Sequence, residues 1–433
     1  MAIKAPIPAP LPAQKVARAV AAAGGRAWLV GGTVRDALLN RPANDQDLEA
    51  HGLEAERLQA VLSEVGTVRR VGRSFGVFKV RIGRDTLDVS LPRAESRAGD
   101  TRGSDAGEIR GDPHLGLEAA ARRRDLSVNA MAWDPLTGEI ADPCDGWRDL
   151  HERVLRAAWL PRFGDDPLRA LRVVRFAGVL GFDVDPALAE RCRTLDPGGE
   201  APERQRMELD KLWMGAAAPG SALRLAADLG VLERVLPEVT PDTVAPVAEA
   251  LDRAALQRGQ LQPPARALAA MWGVVLHRCS TESATAALDR LRVFRQEGFA
   301  VRDAVLGSIG AWRAMASEPS DASLRRWAER ADLGVACAVA AATGASTAGD
   351  AAARALHLGV SAAPLPPLLT GRDLSDIGVP AGPQMGDLLR RVRDAQLDGH
   401  VCDPDAAMAL AERLWSSEAC SGAATDQPAS SDL

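Results

Sequence analysis

The chain has 433 residues, of which 46% are hydrophobic and 25% charged. That balance belongs to a folded protein with more than one core. A net charge of −6 argues against a uniformly basic nucleic-acid surface, and no stretch approaches the roughly 20 apolar residues of a membrane span. Residues 1–14 are proline-rich, lack the apolar core of a signal peptide and read as a disordered leader. Helical spacing over 15–23 and 33–39 alternates with strand patterns over 26–30 and 45–51. A helix over 53–64 and strands over 75–82 and 85–91 complete an α/β head that runs to about residue 150. Residues 94–116 are rich in Gly, Asp, Arg and Ser without periodicity, which predicts a mobile loop. Beyond 151 strand signals fade, and Ala, Leu and Arg recur at helical spacing. This predicts a helical neck (151–215), a helical body (216–360) and a helical tail (361–415), and residues 416–433 read as disordered. The fold class is therefore α+β, a short mixed sheet with helices followed by an all-helical remainder.

The six cysteines, Cys144, Cys192, Cys279, Cys337, Cys402 and Cys420, show no metal-ligand spacing, which points to reduced thiols and a cytoplasmic setting. Only four of the 52 basic residues are lysine. Genomic base composition accounts for much of that bias, yet arginines cluster at Arg69–Arg73, Arg122–Arg124, Arg169/Arg172/Arg175 and Arg204/Arg206. Local patches of this kind bind phosphate even on an acidic protein.

Five segments carry chemistry. In the first, the apolar run Trp28–Val30 enters Gly31-Gly32, then Arg35, then Asp45-Gln46-Asp47. Glycines let backbone N–H groups approach a triphosphate, and Arg35 falls near the helix start, within reach of a phosphate. Asp45 and Asp47 sit at i and i+2 of a strand, so both carboxylates share a face and suit Mg²⁺. This set suits nucleotidyl transfer. The second segment is Thr86–Ser90, where Asp88 is either a third carboxylate beside the pair or a solvated strand residue. In the third, Arg122-Arg123-Arg124-Asp125 precedes an apolar stretch with Leu126, Asn129 and Ala130 at helical spacing. Its arginines can hold phosphate while Asp125 accepts from a ribose.

The fourth segment is Asp165-Asp166-Pro167-Leu168-Arg169, with Arg172 and Arg175 continuing one helix side. A carboxylate beside a guanidinium matches the acceptor-plus-amine edge shared by cytosine and adenine, and uracil and guanine present the opposite pattern. The same residues would also serve as a helix cap and an intrahelical ion pair. The fifth, Pro202–Leu212, places Glu203 and Glu208 among cations and reads as a salt-bridged helix.

In this order and spacing the segments resemble the class II nucleotidyltransferases, the group of bacterial CCA-adding enzymes and bacterial poly(A) polymerases. The likeness covers about residues 26–215 and includes the linker Asp142-Pro143…Gly146…Asp149-Leu150. A weaker match at Gly371–Leu389 is similar to the body and tail helices that hold the tRNA elbow. The resemblance implies Mg²⁺ on Asp45 and Asp47 and triphosphate held by Gly31, Gly32 and Arg35. It implies nucleotide contacts from Arg124, Asp125 and Asn129, and base selection by Asp166 and Arg169 supported by Arg172 and Arg175. Asp165 stands where the family usually has Glu. The implied activity is addition of C, C and A to the tRNA 3′ end from CTP and ATP. A-only addition, poly(A) synthesis and a catalytically silent RNA-binding protein are the alternatives. The long loop from Arg93 to Arg122 argues against CC-only addition, and Val71–Phe78 looks more like the CCA-adding side. Histidines His277 and His357 stand without a His-Asp dyad, so no phosphohydrolase activity is expected. No membrane or obligate protein partner is implied.

Overall fold

The computed structural model describes residues 3–4, 8–42, 46–71, 77–94, 110–314 and 319–423. The expected metal ligand Asp45, most of the expected mobile loop, most of the Val71–Phe78 segment and residues 424–433 lie outside these. The chain forms two compact units. The first comprises Met1–Glu208 and Leu225–Val235, and the second Leu209–Arg224 and Leu236–Leu433.

In the first unit an eight-stranded mixed sheet is built from β1 (Ile3–Lys4), β2 (Arg26–Val30), β3 (Asp47–His51), β4 (Thr67–Val71), β5 (Val77–Ile82), β6 (Asp85–Ser90) and, beyond the pair β7 (Arg93–Ala94) and β8 (Arg110–Gly111), β9 (Ala132–Trp133) and β10 (Glu139–Ala141). Its strand order is β1-β10-β9-β2-β3-β6-β5-β4. Alternation decides which side each residue takes. On β5, Phe78 and Val80 are buried while Lys79 and Arg81 are exposed, and on β6 Leu87 and Val89 are buried. Helices α1 (Leu11–Ala22) and α3 (Ala55–Val65) present Val16, Val20, Leu58 and Leu62 at helical spacing, all buried. Those helices cover the apolar side, and the polar side is left to Asp47, Asp88 and Lys79. Helix α2 (Gly32–Leu38) follows β2 directly.

Three sequence expectations change here. Part of the expected leader is structured: Ile3 and Lys4 pair with Ile140 and Glu139, and α1 begins at Leu11. After α4 (Leu117–Ala121), the helix expected from Leu126 is only a 3₁₀ turn at Ser127–Asn129 followed by β9. Leu126 is extended there and bridges to Ala157, which breaks the helical path. The helical neck also contains strands. After α5 (Gly146–Glu152), β11 (Val154–Leu155) pairs in parallel with β12 (Asp183–Val184), on either side of α6 (Arg169–Leu180). Helices α7 (Pro186–Arg193) and α8 (Pro202–Gly215) follow.

The second unit is all-helical among its described residues. Pro264–Leu276 is buried on every side, as an apolar helix at the centre of a bundle must be. Trp213 meets Trp272 edge to face at 6.2 Å, and the Trp272 indole N–H donates to Asp210 at 2.8 Å. Buried His277 sits 2.6 Å from the Val274 carbonyl, and burial lowers its pKa. A separate apolar cluster of Leu374, Val379, Leu388, Val392 and Ala407 joins Gly371–Asp376, Pro383–Asp398 and Pro404–Ala423. The last helix takes in residues 416–423 of the expected tail.

Candidate active site

The site lies in the first unit, where β2 turns into α2. Gly31 adopts φ +74°, a left-handed conformation that favours glycine. A Cβ placed on it would lie 3.3 Å from Arg124 Nη1 and 3.9 Å from Asp47 Oδ2. The turn is therefore flanked by a cation on one side and a carboxylate on the other. Gly32 lies against Arg35 in the same way, with its Cβ position 3.3 Å from Nη2.

Strands β3 and β6 run parallel with Asp47 opposite Asp88, and β5 sets Lys79 opposite Asp88. Neighbours in register share a sheet face. The row thus reads Asp47, Asp88, Lys79, and Lys79 Nζ donates to both Asp88 oxygens at 2.9 and 3.1 Å. Two residues along β3, buried Glu49 accepts from Arg124 Nη2 at 3.4 Å and lies 3.1 Å from His51 Nε2. Glu49 thus steadies the arginine beside the glycine turn, a role the sequence reading missed. Among the described residues no group of three metal-ligating side chains converges. The Asp47 and Asp88 carboxylates are hard oxygen donors on one sheet face, and that donor set fits a divalent cation.

Behind the turn a buried polar chain links four segments. Arg35 donates to Asn129 Oδ1 at 2.7 Å and to both oxygens of Asp36 at 2.9 Å. Asn129 donates to Asp125 Oδ1 at 3.1 Å. Asp125 Oδ2 accepts from Arg172 at 2.8 Å (Nε) and 2.6 Å (Nη2). Arg172 also donates to Glu208 at 3.1 Å, and Glu208 accepts from buried Arg175. Burial alone would raise the Asp125 pKa. The Arg172 charge and bonds from Asn129, Arg172 and the Leu126 backbone overcome it and bring it down to about 2. Three guanidiniums surround Phe176, those of Arg35, Arg172 and Arg175, at 5.1, 5.5 and 3.8 Å from the ring centroid. From its spacing Phe176 reads as one more apolar residue of the helix, so no local signal marks it.

The sequence reading joins Asp166 to Arg169, but the structure gives them separate partners. Asp166 precedes α6 rather than lying in its first turn; it accepts from the Leu168 backbone N–H at 3.1 Å and from Arg204 at 2.7 Å. Arg169 donates to the carbonyls of Arg162 (2.8 Å) and Arg123 (2.6 Å). The two remain close, since the Asp166 charge raises the Arg169 pKa against the lowering effect of burial. Arg204 lies 38 residues from its partner, beyond any local pattern.

The linker after β10 clamps this arrangement. Asp142 accepts from the Gly146 and Trp147 backbone N–H groups at 2.7 and 2.9 Å. Buried Asp149 accepts from Ser127 and Arg156. A Cβ on Gly146 would fall 2.2 Å from the Ser127 carbonyl oxygen, so only glycine lets α5 approach the turn before Asn129.

Residues 27–156 match the family described as the Poly A polymerase head domain. The "Multifunctional CCA protein" of Xanthomonas campestris pv. campestris (strain B100) is 39% identical over 221 residues, 49% of this chain and 51% of that protein. The "CCA-adding enzyme" of Bordetella pertussis is 39% identical over 238 residues, covering 54% of this chain and 62% of that protein. The first unit is thus similar in sequence to the Poly A polymerase head domain and to proteins named as CCA-adding enzymes. Its matched region spans between about half and three fifths of the length of these two relatives. Among solved structures, a Bacillus stearothermophilus CCA-adding enzyme in complex with CTP superposes with a TM-score of 0.72 at 23% identity, covering 95% of this chain and 99% of that one. A Thermotoga maritima CCA-adding enzyme complexed with tRNA gives 0.59 at 19% identity, covering 92% and 94%. These two likenesses extend the shared fold across both units. No helix among the described residues is long and apolar enough to cross a membrane.

Proposed function

We propose that this chain adds C, C and A in turn to the 3′ end of tRNA, taking CTP and ATP, without a nucleic-acid template. In each step the RNA 3′-hydroxyl oxygen attacks the α-phosphorus, the bond to the α–β bridging oxygen breaks, and pyrophosphate leaves. The observation that carries the reading is the Gly31 turn, flanked by Arg124 Nη1 and Asp47 Oδ2. A triphosphate there would meet backbone N–H groups and a fixed cation on one side and a carboxylate on the other.

Asp45 and Asp47 would hold Mg²⁺, which when bound activates the attacking hydroxyl and neutralises charge on the leaving pyrophosphate. Asp88 supports that face beside Asp47, with Lys79 balancing its charge. Arg124 holds phosphate, and Glu49 keeps it aimed. Arg35 backs the Gly32 turn, while Asn129 and Asp125 face the sugar. Asp166 and Arg169 select the base. Arg204 and two backbone carbonyls fix them separately, so they would read the base as two anchored groups rather than as a preformed ion pair. Arg172 and Arg175, held by Glu208, brace Asp125 from behind. The second unit would hold the tRNA elbow, and the reaction belongs in the cytoplasm.

Three tRNA transcripts, ending before CCA, after the first C and after CC, test the reading. Each is incubated with protein, Mg²⁺ and CTP, ATP or both, and products are resolved at single-nucleotide length. Extension of all three to CCA followed by a stop supports the proposal. A single A on the CC-ended transcript alone replaces it with A-addition, a long A ladder with poly(A) synthesis, and no product with a silent RNA binder.

A further inference from the structure

Trp159 and Leu160 are exposed, Trp159 by 39% of its surface. Trp159 is the one Trp or Phe side chain of the first unit that is exposed among the described residues. The Arg122 guanidinium lies 4.4 Å from its ring centroid, so one part of the indole is held by a cation. Glu118 pairs with Arg122 and keeps it in place.

The position of this ring is set by the candidate site itself. The Ala158 N–H, one residue before Trp159, donates to the Asp125 carbonyl at 3.2 Å. The Arg162 carbonyl, three residues after it, accepts from Arg169. Arg122 is two residues from Arg124. Trp159 therefore lies beside the segments that carry Arg124, Asp125 and Arg169. More than a third of this large apolar ring is left in water there, whereas its neighbours Ala158 and Phe163 are buried.

We propose that Trp159, backed by Arg122, is a stacking platform for an unpaired base at the 3′ end of the RNA strand that enters the site. Aromatic rings hold single-stranded nucleic acid because every base has a π-face, whatever its sequence, and an adjacent guanidinium adds to the attraction. A growing C-C-A end needs such a tolerant contact, because its terminal base changes at every step. The incoming nucleotide is not the ligand of this platform, since its base has the polar pair Asp166 and Arg169. The inference rests on the nucleotidyltransferase reading above.

Direct binding of a tRNA ending in CC, and of the same tRNA with a blunt acceptor stem, is measured for the full chain, for Trp159→Ala and for Trp159→Phe. Binding of CTP is measured on the same proteins. Base stacking contributes about 1–3 kcal/mol, so Trp159→Ala is expected to weaken binding of the CC-ended tRNA by about fivefold or more. The blunt tRNA and CTP should bind as before, and Trp159→Phe should restore most of the loss. Equal weakening of both tRNAs, weakened CTP binding, or no change with Trp159→Ala would overturn the platform and leave the nucleotidyltransferase reading standing. Failure of the unmodified chain to bind any tRNA would overturn both.

Discussion

Arg172 and Asp125 face each other with two hydrogen bonds to one oxygen, at 2.8 and 2.6 Å, although they lie 47 residues apart. The pair joins α6 to the segment after the arginine run, and Glu208 and Asn129 extend it in both directions. A buried carboxylate that accepts this many donors is ionised at neutral pH, and removing one partner leaves the other unpaired.

That ionisation gives the protein an acid limit. The folded Asp125 pKa of about 2 lies below its ordinary 3.8. A depressed carboxylate pKa contributes stability above the unfolded value, and that stability is lost as pH falls towards the folded one. The contribution is about 2 kcal/mol, lost between about pH 4 and pH 2. Urea midpoints measured across that window should fall steeply for the unmodified chain. Asp125→Asn should begin lower and show a flatter fall, and parallel slopes in the two proteins would remove Asp125 from this role.

Gly31→Ala combines two costs. A positive φ of this kind costs a non-glycine residue about 1–3 kcal/mol, and the new methyl would lie 3.3 Å from Arg124 Nη1. Nucleotide affinity should fall at least tenfold if the strain is about 1.4 kcal/mol and enters binding alone. Titration of CTP against both proteins checks it, and unchanged affinity would detach the turn from the triphosphate.

Much of this was legible because it is periodic. An apolar run marked β2 and alternation marked β6, and the i, i+2 spacing of Asp45 and Asp47 gave the expectation for the metal-binding face. β9 and β10 escaped because two or three residues carry no period. The helix expected at Leu126 failed because long-range pairing to Ala157 outweighed local spacing. Arg169, Arg172 and Arg175 read correctly as one helix side, yet their partners at Arg123, Asp125 and Glu208 come from elsewhere in the chain. Chemistry type survives in sequence, while the choice of partner is tertiary.

Asp47 should separate chemistry from folding. It is exposed at the start of β3, so replacing it removes no core packing. If Asp47 holds a metal ion as proposed, its loss forfeits several kcal/mol of charge stabilisation in the transition state, which corresponds to more than about a hundredfold in rate. Asp47→Ala should therefore keep the unfolding temperature of the parent and lose C and A addition by that factor. Activity within tenfold of the parent would place the catalytic carboxylates elsewhere.

Glu208 should behave in the opposite way, as a brace whose loss is felt first in stability. It is buried and accepts from both Arg172 and Arg175, and Arg175 is itself buried against Phe176. Glu208→Ala leaves the Arg175 guanidinium without its carboxylate and Arg172 with Asp125 alone, and breaking a buried pair costs about 3–5 kcal/mol. Glu208→Gln keeps the shape and one acceptor oxygen, so its cost should be smaller. Chemical denaturation should rank the parent above Gln and Gln above Ala. Because Arg172 anchors Asp125, the KM for CTP and ATP should rise in the same order. A stability loss with unchanged KM would confine Glu208 to holding the helices together.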